Sequence, residues 1–256
     1  MKYIIQTLIC AALLVACKNE TAKTPSAPDA PVEASAILKH TYWVSKAFAD
    51  ALFATNVPDT IGRLDCGELM FTQKDTLLLT SCRWRTGAEP FKSTGVNSIE
   101  IAYDENRVIT YVLDEKTGVL KGTSPDGTSE YVGFDDINFD DLENNSPVGQ
   151  LVQRRMAGKY RLVPKKGQVA NAAIAEVSAT GGLTNFEGFD SFFPIPIGVG
   201  SYFRSKTGMI KVDFTKGKAD VPTTCGVRLR GDKIFVFNTK DNIITDMRAA
   251  YVKVKE

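Results

Sequence analysis

From Ile37 onward, apolar and polar residues alternate in short runs separated by turn-forming residues, the period-two signature of half-buried strands. Leu64 to Thr72 and Thr76 to Trp84 read as a hairpin about Gln73-Lys74-Asp75. Ser98 to Asp104 and Arg107 to Asp114 read as a second, and Val119 to Thr123 and Ser129 to Phe134 as a third, joined by Pro125-Asp126-Gly127. The pattern resumes at Tyr160 to Val163, Ala173 to Ser178, Met209 to Phe214, Val227 to Arg230, Lys233 to Asn238 and Ala249 to Lys255, with Gly231-Asp232 as a tight turn. One stretch departs from it. Val44 to Asn56 spaces Phe48, Ala51, Leu52 and Thr55 along one helical face, with Ser45 placed to cap its start.

Short strands with frequent turns mean a mainly β, antiparallel protein. The acidic run FDDINFDDLENNSPVG, residues 134–149, ends in Pro and Gly and divides the chain. The expectation is two small β-barrels in tandem with one short helix: a first barrel over 37–140, a linker over 141–150 and a second barrel over 151–256. A single larger barrel or sandwich is the alternative. Each half opens on an aromatic strand, Thr41-Tyr42-Trp43 and Gly158-Lys159-Tyr160. These triplets resemble the Gly-x-Trp opening of lipocalin-like domains in bacterial envelope lipoproteins, with Thr for Gly in one and Tyr for Trp in the other. The resemblance implies small up-and-down barrels and covers only these two openings.

The first 17 residues, MKYIIQTLICAALLVAC, place one cation, Lys2, before an apolar run from Ile4 to Ala16. The run is shorter than the roughly 20 residues needed to span a bilayer and has the design of a secretory signal. Leu14-Val15-Ala16-Cys17 resembles the lipobox of bacterial lipoproteins. That implies a signal peptide over 1–16, cleavage before Cys17, and diacylglycerol on the Cys17 thiol. Two or more acyl chains, at roughly 0.8 kcal/mol per buried CH₂, give a stable anchor. Residues 17–36 then read as the lipidated cysteine and a disordered tether rich in Thr, Ala, Pro and Ser. Lys18 rather than Asp follows the cysteine, which argues for the outer membrane; the face on which the protein is displayed stays open.

Charge narrows the function classes. Lys plus Arg number 31 and Asp plus Glu 30, a net charge of +1 with no basic patch for nucleic acid. The single histidine, His40, has no flanking nucleophile motif, and no Cys-x-x-Cys exists, so neither a catalytic triad nor a histidine-rich metal site is expected. An EF-hand alignment starting at Asp136 fails at Asp141, where Gly is required, and at Pro147, where Glu is required. Arg230-Gly231-Asp232 spells an adhesion tripeptide, but a hairpin turn accounts for it. No cofactor and no metal are expected.

Of the cysteines outside the signal peptide, Cys17 is committed to lipid. Centring the first hairpin on Lys74 pairs Phe71 with Leu77, Met70 with Leu78, Leu69 with Leu79 and Glu68 with Thr80. Cys66 and Cys82 then oppose one another, a candidate disulfide in an oxidising compartment, and Cys225 is left as a free thiol. The aromatic cluster Phe189, Phe192, Phe193, Tyr202 and Phe203 is either core plus edge or a ligand or partner surface. The leading expectation is a lipid-anchored envelope protein with a structural or protein-interaction role, its partners the membrane and another envelope protein. A lipocalin-like module for a small apolar or amphipathic ligand is the alternative. A carboxylate-based enzyme ranks third, because no pair of carboxylates stands out.

Overall fold

A computed structural model describes residues 34–58, 61, 67–73, 76–80, 85–104, 107–139, 146–165, 167, 173–195, 209–217 and 221–255. It is mainly β, with seventeen strands and three helices among these residues. A short helix α1 (Ser35–Leu38) leads into β1 (Tyr42–Ser45) and α2 (Lys46–Phe53). Strands β2 (Glu68–Gln73), β3 (Thr76–Thr80), β4 (Arg85–Pro90), β5 (Lys92–Gly95), β6 (Ser98–Asp104), β7 (Arg107–Asp114), β8 (Val119–Ser124) and β9 (Gly127–Phe134) follow. With β1 they make a nine-stranded sheet ordered β4-β3-β2-β1-β9-β8-β7-β6-β5.

The two edges of that sheet, β4 and β5, are separated in sequence by Phe91 alone. One residue spans only a few ångströms, so the sheet is rolled until its edges meet. β4 and β5 are in effect one strand bent at Pro90-Phe91. Its first half pairs with β3, as in Leu77 with Glu89, and its second with β6, as in Ser93 with Ile99. Inside the roll lie Trp43, Leu69, Phe71, Leu77, Phe91 and Tyr111, with Ile37 of α1 against them.

After α3 (Pro147–Met156) comes a closed eight-stranded barrel: β10 (Gly158–Leu162), β11 (Ile174–Val177), β12 (Gly182–Phe186), β13 (Phe189–Pro194), β14 (Ile210–Thr215), β15 (Thr223–Arg230), β16 (Lys233–Lys240) and β17 (Ile243–Lys253). Both halves follow one plan, the opening strand lying between the second and the last: β1 between β2 and β9, β10 between β11 and β17. Trp43 and Tyr160, the third residues of the two resembling triplets, are both buried inside their barrels.

The expected linker is where the chain departs most from its sequence reading. Residues 141–145 lie outside the described residues, but Pro147 to Gln150 form the first turn of α3 and are buried. A domain boundary at 151 would cut this helix. Its cause is local: the Ser146 hydroxyl accepts the Gly149 N–H at 3.1 Å, Pro147 sits where no backbone donor is needed, and Val148, Leu151, Val152 and Met156 share one face.

The polar side chains of α3 join the halves. Gln150 takes both sides of the Asn138 backbone, accepting its N–H at 2.8 Å and donating to its carbonyl at 2.6 Å. Arg154 donates to the carbonyls of Asp135 and Asp136, and Arg155 to those of Leu52 and Ala54 at the end of α2. Gln153, wholly buried, donates to the Phe192 carbonyl of the second barrel at 3.0 Å. One apolar core therefore runs from Tyr42 and Val44 on the outer face of the first roll, through α2 and α3, into the second barrel. Residues 33–256 form one compact unit.

The other helix is shorter than expected. Val44 and Ser45 belong to β1, and Ser45 precedes α2 without a side-chain capping bond. Phe48, Ala49 and Leu52 are its buried face.

Candidate functional site

The second barrel's interior is occupied by its own side chains. Phe186, Phe192, Phe214 and Tyr251 are at most 1% exposed. Phe186 stacks on Tyr251 at 4.2 Å and on Phe214 at 5.7 Å between ring centroids, and Phe189 tilts against Phe214 at 5.1 Å. Offset aromatic pairs of this kind add to the area they bury. Burial pushes the Tyr251 hydroxyl far above its ordinary range. It also raises the thiol of Cys225, which points into the same core from β15, so this cysteine is a poor nucleophile.

This placement corrects the aromatic-surface reading for two residues. Phe189 and Phe192 are core, 8% and 0% exposed, and Phe193 is half-buried on β13. Tyr202 and Phe203 lie outside the described residues, as do Cys17, Cys66 and Cys82. The register on which the Cys66–Cys82 pairing rests is present: Glu68 with Thr80, Leu69 with Leu79, Met70 with Leu78 and Phe71 with Leu77.

His40 is packed. Its Nδ1 is 2.7 Å from the Asp135 carboxylate, and its ring meets Trp43 edge-on at 5.0 Å. A Cβ on Gly133 would come within 2.6 Å of the ring, so the glycine makes room for it. Among the described residues no hydroxyl or thiol is bonded to His40, and no cluster of three or more His, Cys, Asp or Glu is placed to hold a metal. The Arg230-Gly231-Asp232 turn is engaged internally, with the Gly231 N–H donating to the Thr55 carbonyl at 2.7 Å.

One concavity among the described residues is outside the barrel core. It is a groove of about 810 Å³ across one end of β17, β10, β11 and β12, reaching Asp190 of β13. Its charged and polar lining is Asp232 beside Lys253, then Lys255, Lys159, Glu176, Thr184 and Asp190, so carboxylates stand on both sides of the lysines. All seven are exposed. Two are engaged by the protein: Lys253 donates to the Ala157 carbonyl at 3.2 Å, and Asp190 accepts the Gly217 N–H at 2.8 Å. Lys159, Lys255, Glu176 and Asp232 have no ion pair or side-chain hydrogen bond among the described residues, although Lys159 and Glu176 sit directly opposite on adjacent strands.

The groove's floor is set by tight packing beneath it. Ser178 Oγ accepts the Gly182 N–H at 2.7 Å, and Gly181 must be glycine on two counts: its backbone is left-handed (φ +85°), and a Cβ there would meet the Gln153 amide and the Phe192 carbonyl. The sequence reading did not single out this groove. Its charges are spread over strands far apart in the chain, and the only local signal was the alternation Lys159, Arg161 and Glu176 on outward positions.

No family model, no curated protein and no solved structure matches this chain.

Proposed function

We propose that this protein is a lipid-anchored component of the bacterial outer membrane, whose two barrels form a solid body that docks another envelope protein. The observation that carries the reading is the filled second barrel: Phe186, Phe192, Phe214 and Tyr251 take the space a lipocalin-like ligand would use. A pocket for a drug-sized apolar ligand is typically some 300–1,000 Å³ and mostly apolar. The groove that reaches this size is rimmed by lysines and carboxylates. The anchor rests on Leu14-Val15-Ala16-Cys17, and the tether gives the body reach beyond the membrane surface.

Native mass spectrometry of the protein extracted from its own membrane tests this reading. The expected result is an acylated chain beginning at Cys17, alone or with a protein partner. A stoichiometric small apolar molecule that survives extraction overturns the solid-body reading. A Cys17→Ser chain that is still cut after Ala16 and still sediments with outer membranes overturns the anchor.

A further inference from the structure

We infer that the outer face of the second barrel across β10, β17, β16 and β15 is a docking surface for a phospholipid bilayer carrying anionic headgroups. The inference rests on the lipid anchor proposed above and adds which side of the body that anchor brings to the membrane.

Register defines the face. Tyr251, Ile234, Val236, Leu229 and Val227 point into the core, so the residues alternating with them point out. Three rows of outward residues cross the strands. In the first, Arg161 pairs with Val252, Val252 with Lys233, and Lys233 with Arg230. In the second, Ala250 pairs with Phe235 and Phe235 with Arg228, and Val163 joins them by donating its N–H to the Ala250 carbonyl at 2.8 Å. In the third, Met247 pairs with Phe237, Phe237 with Gly226, and Gly226 with Lys211 of β14.

These rows put an apolar patch inside a rim of cations. Met247 and Val163 are 42% and 40% exposed, and Phe235, Phe237 and Val252 are half-buried. Arg161, Lys233, Arg230, Arg228 and Lys211 surround them, and no carboxylate stands in the three rows. The nearest in register are Asp213, one pair beyond the third row, where it accepts the Thr224 hydroxyl, and Asp232, in the turn beyond the first. Lys211 donates to the neutral side-chain carbonyl of Asn242, which leaves its charge in place. Arg230 and Lys233 are directly opposed cations, an arrangement that sheet folding alone disfavours. Apolar side chains ringed by Lys and Arg suit a membrane surface: the apolar bodies enter the boundary between headgroups and acyl chains, and the long cationic stems reach the phosphates.

Area decides between a bilayer and a protein. The face covers three inter-strand steps in one direction and four residue steps in the other, roughly 14 by 13 Å. That is on the order of 200 Å², against about 800 Å² per partner in a stable protein interface. A bilayer demands less, because the anchor already holds the body near it. The tether's reach is roughly 5–6 Å times the square root of its length, so the face meets lipid at high effective concentration.

The test uses the mature acylated protein in vesicles of phosphatidylcholine, or of an equal mixture with phosphatidylglycerol. Hydrogen peroxide, which is neutral and therefore indifferent to vesicle charge, converts exposed methionine to the sulfoxide, and mass spectrometry reads Met247. A soluble methionine peptide added to each sample calibrates the oxidant. Oxidation of Met247 should be about threefold slower or more in the phosphatidylglycerol vesicles, and high salt should abolish the difference. Arg161→Glu with Lys233→Glu should abolish it too, whereas Arg161→Lys with Lys233→Arg should keep it. Both positions are exposed, so unchanged melting identifies folded variants. Equal rates in the two lipids, or protection that survives charge reversal, overturns the face. Protection that appears only when a partner protein is added overturns the lipid assignment in favour of that protein. Flotation reads the anchor separately, since acylation alone should float the charge-reversed chain with either vesicle. If the protein from its own membrane carries no acyl chain, the anchor reading fails. The face is then read by flotation of that protein with phosphatidylglycerol vesicles, which charge reversal should abolish and which, if absent from the start, overturns the face as well.

Discussion

In the second barrel every strand has two hydrogen-bonded neighbours, and the ring is completed where β10 meets β17, Tyr160 beside Lys253 and Leu162 beside Tyr251. In the first, the ladder is interrupted once, between β4 and β5, and Phe91 carries the chain across. Proline explains the place. Pro90 has no N–H to donate to a ladder, so the strand bends there and the covalent chain does what hydrogen bonds do elsewhere. Phe91 then turns inward against Phe71, ring centroids 5.5 Å apart and nearly perpendicular. A barrel can thus be closed by its ladder or by a bent strand with an aromatic behind it. The second way leaves a seam. α2 packs on β1 and β9, the middle of the strand order and away from that seam, and with α3 shares its core with the closed barrel.

The comparison can be broken first at its strongest point. Phe214 touches Phe186, Phe189 and Phe192, and Phe214→Ala should cost about 3–5 kcal/mol. Because the core continues into the first half, both halves should melt earlier. A variant in which the first barrel keeps its melting temperature would show that the shared core is not coupling them.

Next is the candidate Cys66–Cys82 bridge, which would staple the seamed barrel. Closing such a loop contributes roughly 3 kcal/mol. Thiol titration of the unfolded, unreduced protein beginning at Lys18 should find one reactive thiol, Cys225. Three thiols would exclude the bridge.

Arg155→Ala removes three charge-assisted hydrogen bonds, to the carbonyls of Leu52, Ala54 and Thr55, and should cost about 2 kcal/mol. It should also separate one melting transition into two, whereas Arg155→Lys, which lacks the planar fork, should fall between. Gly133→Ala forces the His40 ring from its place beside Trp43 and should cost about 1 kcal/mol, read by urea denaturation.

The smallest effect is acid sensitivity, and each barrel carries one reporter. Hydrogen bonds from Thr117 and the Lys116 N–H hold Asp114 below the usual carboxylate range, and those from Asn238 and Thr245 do so for Asp246. A lowered folded-state pKa gives stability that is fully present above about pH 4 and lost as pH falls through the depressed value. Asp114→Asn and Asp246→Asn should each lower stability slightly at neutral pH and flatten its loss below about pH 4, so that variant and wild type converge in acid.

Much of this architecture was legible along the chain, and what was missed has physical causes. The hairpin of β6 and β7 stands at the residues its alternation marks, and the β2–β3 register follows from centring on Lys74. β12 and β13 lack the strand pattern. A register shift between Gly182 and Phe186 breaks the period of two in β12, so Leu183 and Phe186 are both buried at an odd spacing, and in β13 Phe189 and Phe192 are buried three residues apart. Their turn hides as well, with Glu187 left-handed (φ 53°) where Asn or Asp is usual. The signal for α3 was present in Ser146-Pro147 and in the spacing of Val148, Leu151, Val152 and Met156. Pro and Gly beside an acidic run mask it, because together they look like a connector. The groove had no local signature, since its charges meet only after the barrel closes.

The central claim is that α3 makes one cooperative body of two barrels closed in different ways. Both tryptophans, Trp43 and Trp84, belong to the first half, so tryptophan fluorescence reports that barrel while calorimetry reports the whole molecule. Heating the mature protein should give one calorimetric transition whose midpoint coincides with the fluorescence midpoint. A fluorescence transition completed well before the main heat absorption would contradict it.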